Sequence, residues 1–232
     1  MKIIKQSSKG ECALCGGTYR KTGMTRHLKS CVKRRILSGK QLNGKVEQTR
    51  GYHIVVEGLH LPDYWLHIEV TEQTSLRTLD QFLRNVWLEC CNHLSAFTIQ
   101  GELYMSELTG DPWIDSHGED MGLAIGDVVR PGMRFRYEYD FGTTTELILS
   151  VVSEHKSYPR KEPIRLLARN SPPLITCVAC GGIATIVCGE CIYVDQGWLC
   201  DRCAQSHECD QGLFLPVVNS PRVGMCGYIG VR

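Results

Sequence analysis

The chain has 232 residues, with 26 Lys or Arg against 25 Asp or Glu, so its net charge is +1. This length suits one large domain or two to three small ones. The first residues lack the apolar run of a signal peptide, and no stretch reaches the roughly 20 apolar residues of a membrane span. The chain has 13 cysteines, and we therefore predict a cytoplasmic protein with no membrane partner, in which the paired Cys-x-x-Cys motifs bind metal rather than form disulfides.

The positive charge is concentrated at the start of the chain. Residues 1–50 hold 13 Lys or Arg and two Asp or Glu, a balance of +11, whereas the other 182 residues hold 13 basic and 23 acidic groups, a balance of −10. Such a basic arm predicts an anionic partner, nucleic acid foremost. The alternative is a solvated tail, or an arm that docks on the acidic remainder of the chain.

Four potential metal ligands lie near the start with the spacing C-x2-C-x11-H-x3-C: Cys12, Cys15, His27 and Cys31. A helix from Thr22 to about residue 33 would place His27 and Cys31 one turn apart, so that both face one ion. We therefore predict a basic zinc finger over residues 1–40.

The helix of this finger also carries basic side chains. Arg and Lys on such a helix meet phosphates and guanine edges in a DNA major groove, so contact with nucleic acid is expected. The predicted nucleic-acid-binding residues are Arg26, Lys29, Lys33, Arg34 and Arg35. One finger alone buries too little surface for tight sequence-specific binding, and fingers of this spacing also serve as protein-docking modules.

Residues 51–156 predict an α+β domain, with one main helix against a central antiparallel sheet. The patterns of β-branched and alternating residues predict strands over 52–59, 65–70, 96–103, 134–139 and 147–154. Thr74 and Ser75 cap a segment whose apolar residues recur at helical spacing as far as Trp87. A proline-rich connector over residues 158–173 leads to the tail.

The tail, residues 174–232, is predicted to be a two-zinc module, because it holds three Cys-x-x-Cys pairs and three further ligands. Adjacent pairs joined by a short hairpin face opposite ways, so alternate pairs are expected to share an ion. The first predicted site comprises Cys177, Cys180, Cys200 and Cys203. The second comprises Cys188, Cys191, His207 and either Cys209 or Cys226, since nine ligands are one more than two ions need.

The segment from Trp198 to His207 resembles the cross-braced B-box and MYND families of interaction modules, and the resemblance covers roughly residues 177–209. It implies a protein partner rather than catalysis. With four protein ligands for each ion, no position stays open for water or substrate. The last ligands of the tail depart from both families.

The middle domain resembles the plasmid pRiA4b ORF-3-like family in its first two strands and in Arg134–Gly142, which ends in that family's hallmark Tyr-Asp-Phe-Gly. His93 and Phe97 lie where a His-Leu-x-x-Phe stretch is usual. The resemblance implies a compact α+β domain with no established activity. After Gly142 the chain has three threonines before Glu146, where the family usually continues with an acidic residue and Trp.

An enzyme with a site near Asp140 and Glu146, flanked by His93, is the alternative function. The departure after Gly142 weakens it, and we predict no catalytic residues. Cys90, Cys91 and His93 are predicted to be structural, because neighbours at a helix end seldom face one another. An acidic run is predicted to form a solvated loop, and it comprises Asp111, Asp115, His117, Glu119 and Asp120.

The sequence as a whole predicts a non-enzymatic adaptor stabilised by three Zn²⁺ ions. Its basic N-terminal finger would contact nucleic acid, and its C-terminal zinc module would dock on a protein.

Overall fold

The structure is a computed structural model that describes residues 8–40, 48–107, 118–157 and 161–230, with the backbone alone for residues 33–40. The strands in chain order are β1 (Lys9–Cys12), β2 (Thr18–Arg20), β3 (Thr49–Gly58), β4 (Trp65–Thr71), β5 (Ser95–Ile99), β6 (Glu102–Met105), β7 (Gly118–Asp120), β8 (Arg134–Tyr139), β9 (Thr145–Ser157), β10 (Ile164–Asn170), β11 (Ile186–Cys188), β12 (Trp198–Leu199) and β13 (Phe214–Pro216). The α-helices are α1 (Lys21–Lys40), α2 (Leu76–Leu83), α3 (Ile125–Val128) and α4 (Asp201–Ala204). A π-helical turn covers Arg84–Leu88, and 3₁₀ turns cover Cys191–Val194 and Gln211–Leu213.

Ten strands form one sheet in the order β2-β1-β10-β4-β3-β9-β8-β5-β6-β7, and β12-β11-β13 form a second, three-stranded sheet. Every pairing in the large sheet is antiparallel except that of β6 with β7. Cysteine clusters lie at both ends of the chain. The predicted fold class, an α+β structure with a central antiparallel sheet, is therefore confirmed.

The main helix packs against the sheet as its sequence pattern predicts. The Ser75 side chain accepts a hydrogen bond from the Thr78 N–H, which caps α2. Leu76, Leu79 and Leu83 then point inward and join the hydrophobic core formed by the central strands. The predicted strands over 52–59, 65–70, 134–139 and 147–154 all coincide with strands of the large sheet.

Two parts of the predicted organisation are wrong. The strand predicted over residues 96–103 is a hairpin of β5 and β6, because Gln100 (φ 54°) and Gly101 (φ 94°) both adopt the left-handed conformation of a tight turn. The predicted connector over 158–173 contains β10, which pairs with both β1 and β4. Its apolar residues Leu167 and Ala168 are buried, which explains why this segment is a strand.

Through β10, the N-terminal module is an extension of the large sheet. Met24, Leu28 and Val32 of α1 form a small core with side chains of the sheet, namely Trp65, Leu167 and Ala168. Gly10 permits the close approach of β1, because a Cβ atom there would lie 2.2 Å from the Arg169 carbonyl oxygen. The limits 51–156 predicted for the middle domain thus leave out the strand that joins it to the finger.

The tail also packs against the middle of the chain. Val187, Trp198 and Val223 belong to the same hydrophobic cluster as α2 and the central strands. Arg222 is fully buried, and its guanidinium binds Asp140 in the loop after β8. None of the helices in the described ranges is long and apolar enough to cross a membrane.

Candidate metal centres

Four clusters of Cys and His side chains in the described chain have ligand atoms that all lie within 4.8 Å of one another, so each can hold a metal ion. Three clusters contain three cysteines and one histidine, and one contains four cysteines, which together account for all 13 cysteines of the chain. None of these cysteines forms a disulfide in the structure. The use of every cysteine in a four-membered cluster favours metal binding over chance proximity.

Distances within the clusters match the edges of a metal-centred tetrahedron. Zinc bound by thiolates at ~2.3 Å and imidazole at ~2.0 Å would separate two sulfur atoms by ~3.8 Å, and sulfur from nitrogen by ~3.5 Å. The clusters contain sulfur–sulfur contacts of 3.5–4.0 Å and sulfur–nitrogen contacts of 3.3–3.5 Å, and no two ligand atoms of one cluster are more than 4.8 Å apart. A disulfide would need ~2.05 Å. The ligand atoms are therefore spaced for a shared ion.

The N-terminal cluster brings together the four residues predicted from their spacing: Cys12, Cys15, His27 and Cys31. Cys12 ends β1, and the turn that follows is closed by the Gly16 N–H donating to the Cys12 carbonyl. His27 and Cys31 come from one face of α1, and the Tyr19 ring stacks on the imidazole with centroids 4.2 Å apart. Stacking fixes the plane of the His27 ring beside the three sulfur atoms.

The first tail cluster comprises Cys177, Cys180, Cys200 and Cys203, as the alternate-pair argument predicts. Burial raises the pKa of Cys177, but N–H groups of Cys200, Cys180 and Ala179 donate to it and lower the pKa to about 6. A thiolate is the form that binds metal. The backbone N–H groups of this cluster therefore favour the thiolate form of Cys177.

The second tail cluster comprises Cys188, Cys191, His207 and Cys209, which decides between the two alternatives left by the sequence. Cys209 lies 3.5 Å from Cys191, sulfur to sulfur, whereas Cys226 is absent from this cluster. Burial raises the pKa of Cys188, but hydrogen bonds led by the Cys191 N–H lower it to about 7. Of the two alternatives that the sequence leaves open, the structure therefore brings Cys209 to this cluster.

Cys226 lies instead in a cluster that the sequence did not predict, with Cys90, Cys91 and His93. We call these four residues the junction cluster, because they join the end of α2 to the tail. The sulfur of Cys226 is 4.0 Å from that of Cys91 and 3.3 Å from Nε2 of His93. The reason given for predicting a structural role, that neighbours at a helix end seldom face one another, does not hold for Cys90, Cys91 and His93, because their ligand atoms lie within 4.8 Å of one another.

Comparison with known proteins identifies the family of the middle of the chain. A model of the plasmid pRiA4b ORF-3-like protein family matches residues 53–186, which is more than half of the chain. The chain belongs to this family. A protein of unknown function from Methanosarcina mazei Go1 is similar in structure at 17% identity, with a TM-score of 0.39 over 58% of this chain and 75% of that one. No curated protein matches the chain.

In this pRiA4b ORF-3-like protein, the Tyr-Asp-Phe-Gly hallmark ends β8 beside the junction cluster. Asp140 adopts φ 66°, and its carboxylate accepts hydrogen bonds from Thr143, Gly142 and Arg222. Burial raises the pKa of Asp140, but these donors outweigh it and hold the pKa well below the usual range. Nδ1 of His93 lies 3.6 Å from the same carboxylate. Thr143, at which this chain departs from the family pattern, therefore donates a hydrogen bond directly to Asp140.

Glu146, the second carboxylate considered for a catalytic site, and the predicted acidic run have other surroundings. Glu146 lies on β9, the strand that follows the hallmark turn, and its Oε2 is 2.8 Å from Nε2 of His60. Of the predicted acidic run, Asp111, Asp115 and His117 lie outside the described residues, and Asp120 pairs with Arg77.

Of the residues predicted to bind nucleic acid, Arg26 and Lys29 are exposed on α1. Neither forms an ion pair with a carboxylate in the described ranges, whereas the neighbouring Lys21 pairs with Glu57. The side chains of Lys33, Arg34 and Arg35 lie outside the described part of the structure.

Proposed function

We propose that this protein is a zinc-stabilised binding protein, in which closed metal sites hold two small modules against a sheet and α1 contacts nucleic acid. Each cluster offers four protein ligands, the number that fills a structural zinc site and leaves no position for substrate. Zinc is the metal that such thiolate-rich tetrahedral sets favour.

The observation that carries this proposal is the division of α1 into two faces. Its apolar face is committed to the sheet through Met24, Leu28 and Val32. Arg26 and Lys29 lie outside this apolar face and are exposed. A rigidly docked helix with a free basic face supports contact with phosphates, which supply most of non-specific affinity for nucleic acid.

Replacement of both Arg26 and Lys29 by alanine is expected to weaken binding to a labelled DNA duplex of mixed sequence. Each phosphate contact that is lost lowers the slope of log affinity against log salt by roughly 1, so a fall of roughly 2 is expected. Fluorescence anisotropy over a series of salt concentrations measures both quantities.

The matched control is the double substitution of Arg134 and Arg136, which are exposed on β8 far from α1 in strand order. It removes the same charge and is expected to leave the slope nearly unchanged. Equal effects of the two double variants on DNA binding would show that the binding depends on net charge and not on α1. A wild-type affinity that does not respond to salt would contradict the nucleic-acid role.

A protein partner for the tail is a second candidate function, favoured by exposed apolar side chains. Of the nine large hydrophobic residues exposed in the described chain, seven lie between Leu174 and Ile229, with Tyr193 63% and Val194 69% exposed. We expect the variant Tyr193→Ser/Val194→Ser to keep its zinc but no longer bind a protein partner that the wild-type chain captures. Capture that does not depend on these side chains contradicts this candidate.

The alternative of an enzyme near Asp140 and Glu146 has less support. A general acid or base works best with a pKa near the operating pH, whereas the pKa of Asp140 is lowered by its ion pair and hydrogen bonds. Asp140 is also buried, with Arg222 and Thr143 occupying the same carboxylate oxygen. This environment suits a structural anion.

A further inference from the structure

The junction cluster has the same ligand types, three cysteines and one histidine, as the two Cys₃His clusters predicted from sequence. Its ligand atoms likewise lie within 4.8 Å of one another. We propose that Cys90, Cys91, His93 and Cys226 hold a fourth zinc ion, which fastens the end of the tail to the end of α2. This inference rests on the proposal that the clusters hold zinc, and it adds a site between two parts of the chain more than 130 residues apart.

The local backbone explains how three ligands from adjacent positions converge. The π-helical turn Arg84–Leu88 ends α2, Glu89 is extended, and Asn92 adopts φ 56°, so the chain reverses around the two cysteines. Glu89 accepts a hydrogen bond from the Asn92 N–H, and Arg84 donates to the His93 carbonyl at 2.7 Å. These bonds hold the loop in place before any metal binds, which lowers the entropy lost on binding.

A second layer of side chains orients the ligands, as outer-layer carboxylates do for metal-bound histidines. Asp140 lies 3.6 Å from Nδ1 of His93, on the side of the ring away from Nε2, which points at Cys226. Arg222 donates to Oδ2 of Asp140 at 2.7 Å and to the sulfur of Cys90 at 3.4 Å. The buried guanidinium therefore supports both the orienting carboxylate and one thiolate, which is the arrangement expected around a zinc ion with three thiolates.

This geometry gives the family hallmark a role in this chain. Asp140 is a positioning residue that acts on the ion through His93, and Tyr139 receives the N–H groups of Cys90 and His93 at its hydroxyl, both at 3.4 Å. A cleft of ≈ 710 Å³ opens beside Cys91 and Cys226, which gives a chelator a path to the ion.

Native mass spectrometry of the full chain, loaded with Zn²⁺ and then exchanged into metal-free buffer, tests the fourth site. We expect four ions in the wild type and three in Cys91→Ser, a substitution at an exposed position. Adding Cys226→Ser is expected to cause no further loss, because both cysteines serve the same ion. Adding Cys180→Ser to Cys91→Ser, by contrast, is expected to leave two ions, because Cys180 belongs to the first tail cluster.

Three ions in the wild type, with no change in Cys91→Ser, would overturn the fourth site while leaving the other three intact. Four ions in both proteins would overturn the assignment of Cys91 as a ligand. A disulfide between Cys91 and Cys226, seen in the mass of the denatured chain, would also overturn it. A wild type that binds no zinc would overturn the metal part of the proposed function as well.

Competition with a metallochromic chelator tests the positioning role of Asp140. In Asp140→Asn we expect one ion of the four to be released at roughly 10–100-fold lower chelator concentration, with the other three unchanged. A purely structural role of Asp140 would release all ions together as the chain unfolds, or none. Cys91 is exposed, so Cys91→Ser is expected to leave the fold intact. The number of zinc ions bound by that variant therefore tests the fourth site even where Asp140→Asn lowers the stability of the chain.

Discussion

Replacement of Cys200 by serine is expected to release one zinc ion and unfold the tail. The strands of the tail sheet are only two or three residues long, so they bury too little apolar surface to be stable alone. In small zinc modules the metal contributes ~10–16 kcal/mol of apparent free energy, and a lost thiolate removes a large part of it.

Hydrogen exchange followed by mass spectrometry measures this effect segment by segment. Amides of β11, β12 and β13 are expected to exchange freely in Cys200→Ser, while β3, β4 and β9 stay protected at the centre of the large sheet. The large sheet is expected to lose some thermal stability, because Trp198 and Val187 share its hydrophobic core. The matched control is Ser206→Ala, an exposed position near the same cluster. Unchanged exchange in Cys200→Ser would contradict a structural ion.

Replacement of Arg222 by methionine is expected to destabilise the whole chain by ~3–5 kcal/mol, because it leaves a buried carboxylate without its cation. The Arg222 side chain is 0% exposed and that of Asp140 is 7% exposed, so water cannot replace the lost partner. For a chain of this size the melting temperature should fall by roughly 2–4 °C per kcal/mol. Differential scanning calorimetry measures that fall.

The double variant Arg222→Met/Asp140→Asn provides the control for this ion pair. Removing both charges is expected to recover much of the lost stability, since replacing a buried pair costs far less than breaking it. If the free energy of unfolding of Arg222→Met falls by less than ~1 kcal/mol, the pair contributes no more to stability than an exposed salt bridge does.

Local patterns explain the parts of this structure that could be predicted from sequence. The Cys-x-x-Cys turns and the i, i+4 spacing of His27 and Cys31 bring ligands together within a few residues, so their grouping needs no knowledge of the fold. The same holds for α2, whose cap and apolar spacing lie within one segment, and for β8, whose alternation of buried and exposed residues is regular.

Long-range contacts explain what could not be predicted. The junction cluster joins Cys226 to Cys91 across 135 positions, and nothing near either residue indicates the other. The one available signal was arithmetic: the tail has one ligand more than two ions need, and Cys90, Cys91 and His93 are the three further ligands that a fourth ion requires. Strand β10 is not predicted for a similar reason, since the prolines on both sides of it and its own polar residues resemble a connector until its neighbours in the sheet are known.

Zinc K-edge X-ray absorption on the purified full chain tests the central claim, that the Cys and His clusters are closed structural zinc sites. Four-coordinate zinc is expected, with sulfur at ~2.3 Å as the dominant neighbour and a minor nitrogen shell at ~2.0–2.1 Å from the three histidines. The ligand sets give 13 sulfur and three nitrogen atoms for four ions. A chain that carries no zinc, or zinc with substantial oxygen coordination, would contradict the claim.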